Sequence, residues 1–143
     1  MPPVLVKHLM SSPVVTFFEE QSLPLAEDIM RFKHFRHLPV VDDARHLVGL
    51  VSHRDLLAAQ ISSQTDLTPN ERRSMQQRVL VREIMTREVW TVRPDSNASA
   101  AAITLLDHRF GCLPVVDEAG VLVGILTERD FLRFATKVLE TTD

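Results

Sequence analysis

Leu38-Pro39-Val40-Val41-Asp42 returns as Leu113-Pro114-Val115-Val116-Asp117, and the offset between the two stretches (113 − 38) sets a repeat period of 75 residues. The same shift carries Met10 onto Met85, Val14 onto Val89, Thr16 onto Thr91, Gly49 onto Gly124 and Arg54-Asp55 onto Arg129-Asp130 with no insertion. A solenoid needs three or more units to build a core by stacking. Two copies point instead to a pair that bury a face against each other.

At 143 residues, each copy is about half a typical domain and too small to be stable alone, so the copies are expected to fold together. The 45% hydrophobic and 24% charged residues are ordinary for a globular chain. A net charge of −3 gives no electrostatic reason to expect nucleic acid, whose binders carry a basic face. Met1-Pro2-Pro3-Val4 lacks the charged start and apolar run of a signal segment, and no apolar stretch approaches membrane-spanning length. No membrane partner and a cytoplasmic location are therefore expected. The single Cys112 cannot form an internal disulfide, which suits a reducing compartment, and its place before Leu113 predicts a small core residue.

Each copy reads as a short strand, a helix, a two-stranded hairpin and a second helix. In the second, Val89-Trp90-Thr91-Val92 is strand-like, Pro94-Asp95-Ser96 breaks the chain, and Ala98, Ala102, Leu105 and Leu106 form one apolar stripe at helical spacing. Leu25, Ile29 and Phe32 predict the matching stripe in the first copy. Leu113–Val116 and Val121–Leu126 flank Asp117-Glu118-Ala119-Gly120, a turn in which glycine supplies a positive φ. Asp42-Asp43-Ala44-Arg45-His46 has no glycine, so a different turn is expected there. Phe131, Ala135 and Val138 predict the buried face of the last helix, and Leu57 with Ile61 that of its counterpart. Between the copies, Ser62–Asp66 reads as a polar loop. Thr68-Pro69-Asn70-Glu71 then reads as a capping box that opens a solvated helix bearing Arg72, Arg73, Met75, Arg78, Val79 and Arg82.

Chemistry concentrates in Gly49-Leu50-Val51-Ser52-His53-Arg54-Asp55 and its copy Gly124-Ile125-Leu126-Thr127-Glu128-Arg129-Asp130. A strand that ends on a hydroxyl residue and turns into a helix gathers free amides and the positive end of the helix dipole at one spot, which attracts phosphate. Arg54 and Arg129 add positive charge, while the carboxylates of Asp55 and Asp130 can accept hydrogen bonds from a ribose diol. The same S/T-x-x-D spacing also describes a helix cap, and a repeated fold would repeat its caps.

The ordered set Val-x-Thr, Leu-Pro-Val-Val-Asp and Gly-h-h-Ser/Thr-x-Arg-Asp, twice in tandem, resembles the cystathionine β-synthase (CBS) domain pair, or Bateman module. The resemblance runs over residues 4–61 and 79–136, with 62–78 as connecting loop and helix. It implies an α+β fold of two β-α-β-β-α repeats packed as a pseudo-twofold pair, with ligand clefts between them. It further implies a non-catalytic regulatory module that binds AMP, ADP or ATP, with or without Mg²⁺, forms homodimers and signals to a regulated protein. An S-adenosylmethionine sensor and a ligand-free docking scaffold are its alternatives. No obligatory cofactor follows. By position, Ser52 and Thr127 would touch phosphate or ribose, and Asp55 and Asp130 the ribose hydroxyls. Val14, Thr16, Arg36 and His37, with Val89, Thr91, Gly111 and Cys112, would surround the base.

Trp90 stands where the first copy has Val15, so the clefts are expected to be unequal, the first being more open. The indole either stacks on a base or fills its cleft, packing being the commoner fate of a single tryptophan. Five of six histidines (His8, His34, His37, His46, His53) lie in the first copy, but none has the partners or spacing of a zinc site. No nucleophile elbow or P-loop is present, so no catalytic residue is assigned.

Overall fold

Two sheets, each backed by helices, carry the two copies of the repeat in the computed structural model, which describes residues 2–12, 14–62 and 68–141. In chain order the elements are α1 (Val6–Leu9), β1 (Phe17–Phe18), α2 (Leu23–Lys33), β2 (His37–Val41), β3 (Leu47–Ser52), α3 (His53–Ser62), α4 (Pro69–Gln76), α5 (Val81–Ile84), α6 (Ala98–His108), β4 (Cys112–Val116), β5 (Leu122–Thr127) and α7 (Glu128–Thr141). This is the expected α+β fold, with one short helix at the start of each repeat that four residues of sequence were too few to announce. Most of the polar loop expected at Ser62–Asp66, and the side chain of Ile61, lie outside the described residues.

Contacts divide the chain into Val15–Glu88 on one side and Met1–Val14 with Val89–Asp143 on the other. The division is offset from the sequence repeats because the leading segment of each copy packs with the other copy. In the 15–88 unit, β1 runs parallel to β2 (Phe17↔Val40) and β2 antiparallel to β3 (Leu38↔Val51). Leu38 through Val41 of β2 are all buried, so both faces of the strand are covered, which fits its unbroken apolar run. Phe17, Leu23, Ala26, Met30, Leu38, Val40, Val51 and Leu56 form the core, joined by Val81 and Met85 from the segment that opens the second repeat.

The other unit repeats the plan: β4 pairs antiparallel with β5 (Leu113↔Leu126), and Val92 bridges Val115 in parallel. Its core is Val6, Ala101, Leu105, Leu113, Val115 and Leu126, with Val6 supplied by the N-terminal segment. The first strand therefore sits at Phe17–Phe18 and Val92. Val14–Thr16 and Val89–Thr91, expected in the first strands, lie just ahead of these positions and outside any strand.

The exchanged segments are held in the same way. Ser11 and Ile125 trade backbone hydrogen bonds at 2.9 and 3.1 Å, as Thr86 and Leu50 do at 2.9 Å in both directions. This approach is possible because the neighbouring strand residue is glycine. A Cβ on Gly124 would fall 2.6 Å from Met10 Sδ and 3.2 Å from the Ser11 carbonyl, and one on Gly49 2.5 Å from Met85 Sδ and 3.1 Å from the Thr86 carbonyl.

Several helical faces differ from their expected register. In α2 the buried set is Leu23, Ala26 and Met30, while Leu25 is exposed and Phe32 is 83% exposed. In α6 it is Ala98, Ala101 and Leu105, with Leu106 77% exposed. Leu56 rather than Leu57 enters the core from α3, and Val138 on α7 is exposed. Each stripe was apolar at helical spacing, but apolar residues also line the outer faces, so spacing alone could not choose between adjacent registers. Thr68 caps α4 as expected, accepting from the Glu71 amide at 3.2 Å. That helix stops at Gln76, however, and Arg82 belongs to α5. The chain straightens because Leu23 donates to the Val79 carbonyl and the Leu80 amide donates to Glu83 Oε2.

The two hairpin turns, expected to differ, are alike. Asp42 Oδ1 accepts from the amides of Ala44 and His46 at 3.0 and 2.8 Å, and Asp117 Oδ1 from those of Ala119 and Val121 at 2.9 and 3.0 Å. Arg45 adopts φ 70° at the position Gly120 fills at φ 84°. The His46 amide is the first cause holding the Asp42 carboxyl below its ordinary value.

Candidate functional site

Each unit carries one junction where a strand becomes a helix without an intervening loop: Ser52 to His53 and Thr127 to Glu128. The sequence folds this way because a hydroxyl residue is followed three positions later by aspartate. At the first junction the Ser52 amide donates to Asp55 Oδ2 at 2.9 Å, and Ser52 Oγ accepts from the Asp55 amide at 3.1 Å. At the second, Asp130 Oδ2 accepts from the Thr127 amide at 2.8 Å and from Thr127 Oγ1 at 3.2 Å.

Both aspartates thus act as caps, but they are not equally occupied. Asp55 is half-buried. The Asp130 side chain is 2% exposed, with Ser11 Oγ donating to Oδ1 at 3.1 Å and Arg133 Nη1 3.6 Å from the same oxygen. Ser11 was missed in the sequence. The signal lay in Met10-Ser11 and Met85-Thr86, which recur together under the 75-residue shift (113 − 38) with a hydroxyl after each methionine. Arg54 and Arg129, on the first turns of their helices, are exposed. Each helix start presents the positive end of its dipole, which Arg54 or Arg129 reinforces and the first-turn carboxylates, Asp55 in one helix and Glu128 and Asp130 in the other, offset.

The remaining candidates sort by unit. In 15–88, His37 pairs with Ser52 across β2 and β3, and the Arg36 carbonyl accepts from the His53 amide at 2.7 Å, so Arg36 and His37 adjoin the junction. Thr16 lies in the same unit, its hydroxyl accepting from Arg45 Nη1 at 3.1 Å. In the other unit Cys112 pairs with Thr127 across β4 and β5, which sets Gly111 beside the second junction. Val14, Val89 and Thr91 belong to this unit's lead-in segments. The Cys112 thiol is buried, and desolvation pushes its pKa up to about 12, so it stays protonated at neutral pH. Its side chain is a core group.

Trp90 does not pack away. It is 54% exposed and contacts His108 (ring centroids 4.3 Å) and Phe110 (5.7 Å), while His108 stacks on Phe110 at 5.2 Å and 13°. Among the described residues no three His, Cys, Asp or Glu side chains are grouped to hold a metal ion. No helix among them is long and apolar enough to cross a membrane.

Known proteins resemble this arrangement over nearly its whole length. The CBS-pair protein CBSX2 from Arabidopsis thaliana is 32% identical with a TM-score of 0.83, covering 99% of this chain and 100% of its own. CBSX2 in complex with AMP gives a TM-score of 0.79, with 94% and 97% covered at 32% identity. The CBS domain pair of protein MJ0100, in complex with 5-methylthioadenosine and S-adenosyl-L-methionine, is 30% identical with a TM-score of 0.77, covering 95% and 98%. A homoserine O-acetyltransferase of Methanohalophilus mahii is 33% identical over 125 residues, which are 85% of this chain; the chain spans only 22% of that relative's length. The CBS domain itself matches residues 6–62 and 81–137. The chain belongs to the CBS domain family and carries two copies of that domain.

Proposed function

We propose that this chain is a non-catalytic regulatory module that binds an adenine nucleotide, AMP first among them, at its strand-to-helix junctions. What carries the reading is the similarity over more than nine-tenths of the chain to one CBS pair in complex with AMP and another in complex with S-adenosyl-L-methionine. In each unit the dipole at the helix start and its exposed arginine suit a phosphate, and Asp55, half-buried, is the better placed carboxylate for a ribose diol. Binding regulates by favouring one of two states of the module, through a homodimer and a partner protein. The buried cap at Asp130 favours a second reading, a docking scaffold whose junctions are caps and nothing more.

Calorimetry with AMP, ATP and S-adenosylmethionine separates the two. Arg54→Ala and Arg129→Ala remove charge without touching either cap, and Asp55→Asn keeps an acceptor for the Ser52 amide. The module reading expects AMP to bind and at least one arginine variant to lose roughly tenfold in affinity, the worth of one charged hydrogen bond. Absence of heat from every ligand would leave the scaffold. Light scattering with and without AMP measures the dimer.

A further inference from the structure

Trp90, His108 and Phe110 form a cluster that exists in one unit only. The equivalent positions of the first repeat, under the same 75-residue shift (113 − 38), hold Val15, Lys33 and Phe35. A tryptophan left 54% exposed, when Phe110 is partly buried against the core beside it, keeps one apolar face uncovered. Resting on the nucleotide-module reading, we infer that this face is an aromatic platform on which a purine ring stacks, so that the second repeat reads the base by side-chain stacking and the first does not.

The sheet register supports the placement. Trp90 lies two residues before Val92, which pairs with Val115 on β4; two residues before Val115 is Leu113, opposite Leu126 on β5, and Thr127 follows at the α7 junction. Continued back from Val92, that register puts the Trp90 backbone about two interstrand spacings, on the order of 10 Å, from the junction. A nucleoside 5′-phosphate bridges such a span through its ribose. Phe110 lies two residues before Cys112, the pairing partner of Thr127, so the cluster and the junction share one end of the sheet. Because Asp130 is occupied by Thr127 and Ser11, the base contact would carry more of the affinity here than at Asp55. Every purine has a π-face to offer, and stacking of this kind is tolerant of which one.

Trp90 is the sole tryptophan and the chain has no tyrosine, so intrinsic emission reports the platform directly. AMP, GMP and ribose 5-phosphate are titrated into the full chain, followed by fluorescence and calorimetry. The platform predicts that AMP and GMP change Trp90 emission while ribose 5-phosphate does not. It also predicts that Trp90→Val, which installs the first repeat's residue, weakens AMP at one site roughly tenfold, whereas Trp90→Phe keeps most of the affinity. AMP binding with unchanged emission and equal affinity in Trp90→Val overturns the platform and leaves the module reading standing. So does a variant that alters only the oligomeric state, since that makes Trp90 a subunit contact. Failure of wild type to bind any nucleotide overturns both.

Discussion

Gly49 and Gly124 head the two motifs that drew attention to the junctions, yet their measurable role lies elsewhere. Each lets an exchanged segment approach its strand closely enough to pair, with Met85-Thr86 over Gly49 and Met10-Ser11 over Gly124. Replacement by alanine forces the methionine to move and presses on a backbone carbonyl that is already hydrogen-bonded nearby. Overpacking of this kind costs about 1–3 kcal/mol, so Gly124→Ala should lower the denaturant midpoint without changing the slope. Met10→Ala in the same chain should recover part of the loss by making room. The recurrence of both glycines was visible in the sequence. Their purpose was not, because the atoms they admit come from a segment more than a hundred residues away in one case.

Element by element, the sequence was most informative where a local rule had one solution. The hairpins follow from apolar runs around an aspartate turn, the caps at Ser52 and Thr68 from hydroxyls at the right spacing, and the one at Thr127 from the aspartate three residues on. Helix faces were less legible: Phe32 and Leu106 looked like core and face outward, since nothing in a stripe says which of two adjacent registers meets the sheet. Helix ends hide a further feature. Both α2 and α6 terminate in the left-handed region without glycine, at His34 (φ 57°) and Arg109 (φ 55°). A residue with a Cβ pays for that conformation, although glycine would also loosen the unfolded chain. Arg109→Gly is therefore expected to stabilise by about 0.5–1 kcal/mol net, raising the melting temperature by roughly 2 °C. A lower melting temperature would show that the arginine side chain makes a contact worth more than the strain.

On the scale of the whole molecule, the repeat in the sequence and the unit in space are different objects. A cut at the sequence boundaries, residues 4–61, discards Val81 and Met85, both buried in the core that the first repeat builds, together with Val79 and Ile84 packed against it. A cut at residues 15–88 keeps them all. Full burial of a side chain the size of valine or methionine contributes about 1.5–3 kcal/mol, and a chain of this size has little stability to spare. The 15–88 fragment should therefore melt cooperatively by circular dichroism, while 4–61 should show no folded baseline. The complementary unit is discontinuous: Val6 lies in the core of residues 89–143, with Leu9 and Met10 packed around it. Fragment 89–143 alone should be unfolded or weakly helical. Adding a peptide of residues 1–14 should restore its dispersion in proton NMR, with Ser11→Ala in the peptide binding more weakly for want of the bond to Asp130. A cooperative melt from 4–61, with 15–88 no better folded, would mean that the exchanged segments decorate their sheets rather than complete them.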